Sequence, residues 1–384
     1  MYRAKIRIFR LLGRGTAVLA IVTIAGCALA AWMSLPRRAD SAAIQYGTPS
    51  RVLALSPTPK GGPPLTTKKI AEGVRVAAKA GVTGDQLFNL WNALEPAPER
   101  IDVSNPAGGI SYLGGTLGWT LELTIGILNT SVNAVPSDLQ GVAFDDPRMI
   151  ARFHALLDQI FPILNSHVEY LSIGNEVDVY LAVHPDQWPQ YDTFYADAVA
   201  YVHAHAPSVK VGVATTWSGT SGASKAEVAA LNAQSDVWII TYYPLGNDFV
   251  VDPPSAPLSD FPAMVNLADG KPVVLQEVGY PTSQKLKSSD AMQAEFVRNV
   301  FAAWQGQGDR IPFLSYVMEH DLNRKFCDQQ SAYYGVPDPD GHFSDYFCTL
   351  GLLTVEGGKK PGWKIFLDQA AALTGAPAAT ADQD

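Results

Sequence analysis

Val168-Glu169-Tyr170-Leu171-Ser172-Ile173-Gly174-Asn175-Glu176 is a run of aliphatic, β-branched and aromatic residues that halts at a glycine and ends on a carboxylate. Pro272-Val273-Val274-Leu275-Gln276-Glu277-Val278-Gly279-Tyr280-Pro281 repeats that design further along. Continuous apolar runs closed by Gly or Pro read as strands buried on both faces. Each of the two carries a glutamate to the point where the strand opens into a loop. Carboxylates brought together from two strands are the minimum equipment for cleaving a glycosidic bond. Either one alone is explained as well by an ordinary strand-end acid in solvent.

Working outward, the chain keeps the same alternation. Further strands are expected near residues 51–55, 86–91, 120–128, 210–217, 237–243 and 311–318. Helices fill the intervals. Thr66 or Thr67 caps one that runs to about Ala80, with Ile70, Val74 and Ala77 on one face. Asp145 or Asp146 caps the next, with Pro147 in its first turn. Others are expected near 187–206, 224–234, 260–267 and 362–373, and Ser288 or Ser289 caps one ending near Trp304. Eight strand–helix units predict a (β/α)8 barrel over residues 48–373. An open doubly wound sheet is the alternative, but no strand is followed by a phosphate-cradling G-x-G-x-x-G turn.

Composition narrows the partners. The 384-residue chain carries a formal net charge of -9, is 17% charged and 47% hydrophobic, which suits a large folded body and not a disordered one. An acidic body without a basic block argues against nucleic acid. The start of the chain differs in kind: Arg3, Lys5, Arg7, Arg10 and Arg14 precede an apolar stretch from Thr16 to Ala31. This reads as an export signal or anchor, with a small-residue linker reaching Gly47. Three fates stay open. Ile24-Ala25-Gly26-Cys27 resembles a lipobox, which would make Cys27 a lipidated first residue. Ala28-Leu29-Ala30 suits ordinary signal peptidase. Uncleaved, the stretch would be a short membrane helix. All three place the body outside the cytoplasm, as a cell-envelope lipoprotein or a secreted or periplasmic protein, and a monomer is expected. Residues 374–384 read as a flexible tail. With Cys27 set aside, Cys327 and Cys348 remain as an even pair, expected as a disulfide that stabilises by roughly 3 kcal/mol.

In such a barrel the strand C-termini share one mouth, where active sites lie. Read in order, the strand ends offer Trp91, Asn129, Asn175 with Glu176, Trp217, Tyr242 with Tyr243, Glu277 followed by Tyr280, and Glu319 with His320 and Asp321. Aromatic faces stack on sugar C–H faces, and carboxylates and amides bind sugar hydroxyls. The bowl therefore suits a carbohydrate. Little else carries chemistry. His203 and His205 cannot face one ligand from one helix. No H-E-x-x-H occurs. Gly219-Thr220-Ser221-Gly222-Ala223 lacks the last glycine of a nucleophile elbow. No metal or cofactor is expected.

Asn175-Glu176 closing a fourth strand, with Glu277 closing a seventh, resembles the clan A retaining glycoside hydrolases. The resemblance implies a (β/α)8 barrel with Glu176 as acid/base, Glu277 as nucleophile and Asn175 on the substrate 2-hydroxyl. It also implies that Tyr242 or Tyr243 hydrogen-bonds the nucleophile. Gln276-Glu277-Val278-Gly279-Tyr280-Pro281 is similar to the Glu-x-Gly-Tyr/Trp-Pro sequences of endo-β-1,3-glucanases and endo-β-1,4-galactanases. Asn92-Ala93-Leu94-Glu95-Pro96 resembles a strand-two loop of endoglycanases. Endo action on a β-linked polysaccharide or oligosaccharide is the implied activity. Strand eight departs from the pattern: Tyr316-Val317-Met318-Glu319-His320 stands where many members carry a tryptophan. A non-catalytic glycan-binding lipoprotein and a transglycosylase that remodels β-glucan are the competing readings. The stretch 326–348 after that strand is too polar to form a core of its own. It is expected as a loop whose disulfide holds Tyr333, Tyr334 or Phe343 at the rim.

Overall fold

Strand β1 (Val52–Leu55) is buried along its whole length, and every other element can be placed from it. The computed structural model describes residues 51–374; Cys27, the export segment, the linker and the tail lie outside the described residues. β1 pairs in parallel with β2 (Gly84–Leu90) on one side and β10 (Phe313–Tyr316) on the other. Beyond β2 come β3 (Thr120–Asn129), β5 (Val168–Asn175) and β6 (Lys210–Gly212). Beyond β10 come β9 (Val273–Val278), β8 (Trp238–Tyr242) and β7 (Ala214–Thr216). β4 (Val132–Asn133) is a short antiparallel addition to β3.

The ends of this path are one stretch of chain. β6 and β7 are separated only by Val213, so the fifth barrel strand is split: its first half pairs with β5 and its second with β8. The sheet thereby nearly closes into the expected barrel of parallel strands wrapped by helices.

The helices start where their caps allow. Thr66 accepts from the Lys69 N–H, Asp146 from Arg148 and Ser289 from Met292. Of each pair nominated from sequence, one residue does the work. Two apolar layers result. Outside the strands, side chains such as Leu123, Ile173 and Leu275 pack against the helices. A smaller set that includes Val52, Tyr170, Ile239, Val274 and Phe313 forms a separate apolar cluster. Among the described residues no helix is long and apolar enough to cross a membrane.

Residues 326–348 depart from expectation. Two helices, Arg324–Tyr333 and His342–Cys348, occupy most of the stretch and are joined by the Cys327–Cys348 disulfide. Asn323 caps the first by accepting from Phe326. Asp338 accepts from Phe343 and Ser344 at the start of the second. The segment does have a core: Met318, Leu322, Leu350 and both cysteines are buried together, with Phe326, Tyr346 and Phe347 packed on them. Its polar residues are spent on caps and surface, while its aromatics face inward.

Candidate active site

Glu176 is held in an uncommon backbone conformation, φ 48° and ψ 43°, one residue past β5. Thr130, beyond β3, is also left-handed at φ 55°. Non-glycine residues in this region cost on the order of 1 kcal/mol or more, and they gather where a site requires them. Gly174 prepares the turn at φ 98°; a β-carbon there would collide with the Tyr191 hydroxyl and the Val177 side chain. The strained pair meets side chain to side chain. Thr130 Oγ1 donates to Glu176 Oε2 at 2.6 Å, and Thr241 Oγ1 donates to Oε1 at 2.7 Å.

Glu277 stands across the same cavity. Tyr243 donates its hydroxyl to Glu277 Oε2 at 2.7 Å. Burial, and then the negative charge of Glu176, push the Glu277 carboxyl up to about 7. A retaining mechanism calls for a raised value on the acid, whereas here the raised group is Glu277. Beside the two acids, Asn175 donates to Asn129 Oδ1 at 3.0 Å and accepts from Gln276 Nε2 at 2.7 Å. These bonds fix which face of the Asn175 amide meets a ligand.

A cavity of about 490 Å³ contains both acids, with Asn129, Asn175, Trp217 and Tyr243 among its walls. That size suits a small ligand site. The helical pair at 324–348 caps it from three sides. Ser131 Oγ donates to the Tyr334 carbonyl at 2.7 Å, beyond β3. The His342 ring pairs with the Asp248 carbonyl at 2.8 Å, beyond β8. Ser283 donates to Asp345 at 2.6 Å, beyond β9. The cap also reaches the catalytic groups. Tyr346 meets the Tyr243 ring edge-on at 5.4 Å, and Asn129 donates to the Tyr333 hydroxyl at 3.4 Å. Tyr334 and Phe343 line the cavity itself.

Six nominated residues are not brought to the bowl, among them His320, which pairs with the Thr58 carbonyl, and Asp321, which pairs with Lys360. Trp91 is fully buried away from it, donating to Glu95 Oε2 at 3.0 Å and meeting Phe153 edge-on. Glu95 in turn pairs with Arg152. Tyr242 donates to Asp260 at 2.7 Å and packs on Phe261, because neighbours on a strand point to opposite faces and Tyr243 takes the inner one. Tyr280 donates to the Asp252 carbonyl at 2.7 Å and stacks on Phe296. Glu319 is fully buried beside His320 and absent from the cavity wall, its carboxyl pushed up to about 7 by burial. His184 packs on Tyr180, as a loop histidine does.

Other residues matter that sequence reading passed over. Thr130 and Thr241 hold Glu176. Asp178, buried, accepts from the Thr216 N–H at 2.8 Å and hydroxyl at 2.6 Å, tying the helix after Glu176 to the strand end that presents Trp217. Glu122 is wholly buried; Thr124 donates to its carboxylate at 2.9 Å, and burial pushes the group up to about 8. A signal for Glu122 existed: Thr120, Glu122 and Thr124 alternate with leucines, which marks a polar inner face.

No protein-family model matches the chain. No curated protein matches it in sequence. Solved structures do share its fold. A GH5_18 protein from Bifidobacterium longum subsp. infantis is 19% identical with a TM-score of 0.65, covering 86% of this chain and 80% of that one. A Streptomyces cattleya GH5_18 variant in complex with Manβ1-4GlcNAc is 18% identical at TM-score 0.66, covering 86% and 83%. The exo-β-1,4-mannosidase Op5Man5 from Opitutaceae bacterium strain TAV5 is 18% identical at TM-score 0.65, covering 85% and 60%. At these identities the likeness is one of fold: the same barrel of parallel strands and helices.

Proposed function

We propose that this protein is a retaining glycoside hydrolase of the clan A type, with Glu277 as nucleophile and Glu176 as acid/base. The observation that carries the reading is the pairing itself. Two glutamates end strands four and seven, line one cavity, and stand close enough for one charge to raise the other's affinity for a proton. Two carboxyls so placed titrate as a pair, and with one proton between them the pair carries a single negative charge. The Tyr243 hydroxyl steadies Glu277 as an anion and aims it. Glu277 attacks the anomeric carbon while Glu176 protonates the departing oxygen. Water, deprotonated by Glu176, then releases the sugar from Glu277. Turnover needs the shared proton on Glu176. A leaving group that settles against Glu176 strips water from that carboxyl and draws the proton toward it. Asn175 is suited to the sugar 2-hydroxyl.

The cap bears on the mode of action. A mouth bridged from the β3 loop to the β8 and β9 loops is a pocket, which receives one terminal sugar more readily than the middle of a polysaccharide. We therefore favour release of a terminal β-linked sugar over the endo action implied by the sequence resemblance. The neighbour named an exo-β-1,4-mannosidase and the one holding Manβ1-4GlcNAc make a β-mannosyl terminus the first substrate to try.

Glu277→Ala should lower kcat by more than about a thousandfold. Azide should restore part of it and yield a glycosyl azide of inverted anomeric configuration. Glu176→Ala should keep activity chiefly on substrates with good leaving groups. Near-normal rates in both variants would overturn the assignment.

A further inference from the structure

We infer that the space between the cap and the catalytic floor receives a flat, apolar aglycone, so that the natural leaving group is aryl in character and not a second sugar. This rests on the reading of Glu176 and Glu277 as a glycosidase pair.

The cavity is divided by chemistry. Its floor carries the groups that sugar hydroxyls need: both glutamates, Asn129, Asn175, Gln86 and the Tyr243 hydroxyl. Its upper wall is built from Phe326, Val336, Phe343 and Phe347 of the cap, with Leu245 and Phe249 from the loop after β8. Five of these six cavity-lining residues are half-buried, and Phe343 is buried. Uncovered apolar surface in a pocket is what an apolar ligand covers. Asn247 of the loop and Gln330, Tyr334 and Tyr346 of the cap also line the cavity, so a pyranose there meets a few polar partners against six apolar side chains, and each hydroxyl left facing hydrocarbon costs free energy. A flat hydrocarbon bears no such cost.

The wall is also tied to the acid. The group that leaves must lie against the acid that protonates it. Leu245 and Phe249 follow β8, whose Thr241 donates to Glu176. The cap is anchored through Ser131, next to the Thr130 that donates to the other oxygen of Glu176. Both arms of the apolar wall thus start next to residues that hold Glu176, while the cap has a further anchor at Ser283 beyond the Glu277 strand. The rings are packed among themselves: Phe249 meets Phe343 edge-on at 5.5 Å, and Phe343 stacks on Phe347 at 5.9 Å. Flat faces so arranged favour a planar guest over a flexible chain.

The test separates aglycone from glycone. Binding of uncleavable 1-thio-β-glycosides to the full chain is measured by calorimetry, with methyl, 2-naphthyl, n-octyl and thio-linked disaccharide aglycones on mannosyl, glucosyl and galactosyl glycones. The naphthyl compound should bind about tenfold or more tighter than the methyl one, and tighter than the octyl and disaccharide compounds. Leu245→Asn should cut the naphthyl-to-methyl ratio at least about threefold, as should Phe347→Ser, with methyl binding held. Leu245 lies outside the cap, so its result stands even if Phe347→Ser loosens the cap. Equal naphthyl and methyl affinities would overturn the inference, as would tighter binding of the disaccharide or of the octyl compound. Turnover of naphthyl glycosides is followed in parallel. Tight naphthyl binding without turnover would sink the hydrolase reading and leave the apolar chamber standing. Turnover with no aglycone preference would do the reverse.

Discussion

Tyr243 does at one atom what the nucleophile most needs. Glu277 sits where burial and a neighbouring charge both favour its protonated form, and the phenol hydroxyl is the opposing donor. Tyr243→Phe removes that donor and leaves the ring. The Glu277 carboxyl should then rise further, so the acid limb of the kcat/KM profile should move to higher pH. Activity at pH 7 should fall about 10- to 100-fold and partly recover as pH rises. An unshifted limb in Tyr243→Phe would show that the hydroxyl does not set the charge of Glu277. At this scale the sequence was readable in type but not in direction. Tyr242-Tyr243 announces a tyrosine at a strand end, yet which of two adjacent rings turns inward depends on the register of β8 against β9, which shifts between Ile240 and Thr241.

The cap acts as an element. It was expected to hold Tyr333, Tyr334 or Phe343 at the rim, but its tyrosines also touch the catalytic set. Tyr346 packs edge-on against Tyr243, and Tyr333 meets Asn129, which in turn holds Asn175. The disulfide fixes the two cap helices to each other. The double variant Cys327→Ser, Cys348→Ser should therefore lose about 3- to 30-fold in kcat even on a small aryl glycoside, with intact secondary structure by circular dichroism. A loss confined to KM for long substrates would return the cap to a role in remote binding alone. The two cysteines signalled the bridge in the sequence. The helices they join were hidden, because the stretch is short of periodic apolar residues and packs its aromatics on Met318 and Leu350 from elsewhere in the chain.

Over the whole molecule, buried carboxyls set how stability depends on pH. Burial pushes Glu122 up to about 8 and Asp178 up to about 7. The unfolded chain releases these protons near pH 4 to 5. Between that range and their folded values, the native state holds protons that the unfolded state has lost. Their contribution is therefore complete at about pH 4 and is lost as pH rises toward 8. Glu122→Gln keeps the shape without the charge. Its Tm should exceed that of the parent by roughly 5 °C at pH 8 and match it near pH 4. Parallel Tm–pH curves for the two proteins would show that Glu122 holds no proton in the fold.

What the sequence determined by itself was whatever local pattern controls. The apolar runs ending at Glu176 and Glu277 placed strands four and seven, because a strand buried on both faces must be apolar throughout. Asp146 with Pro147, and Ser289, marked helix starts through their own backbone bonds. Tertiary structure alone decided which strand-end residues meet. Trp91 and Tyr280 have the composition of sugar platforms, yet both turn into the layer between barrel and helices, where Phe153 and Phe296 lie. Thr130 and Thr241 look like ordinary strand and loop threonines until the barrel nearly closes through the split strand at Val213 and brings them to the two oxygens of Glu176. The covering of the pocket was likewise beyond local pattern, since contacts between residues as far apart as Ser131 and Tyr334 exist only once both loops stand on one rim.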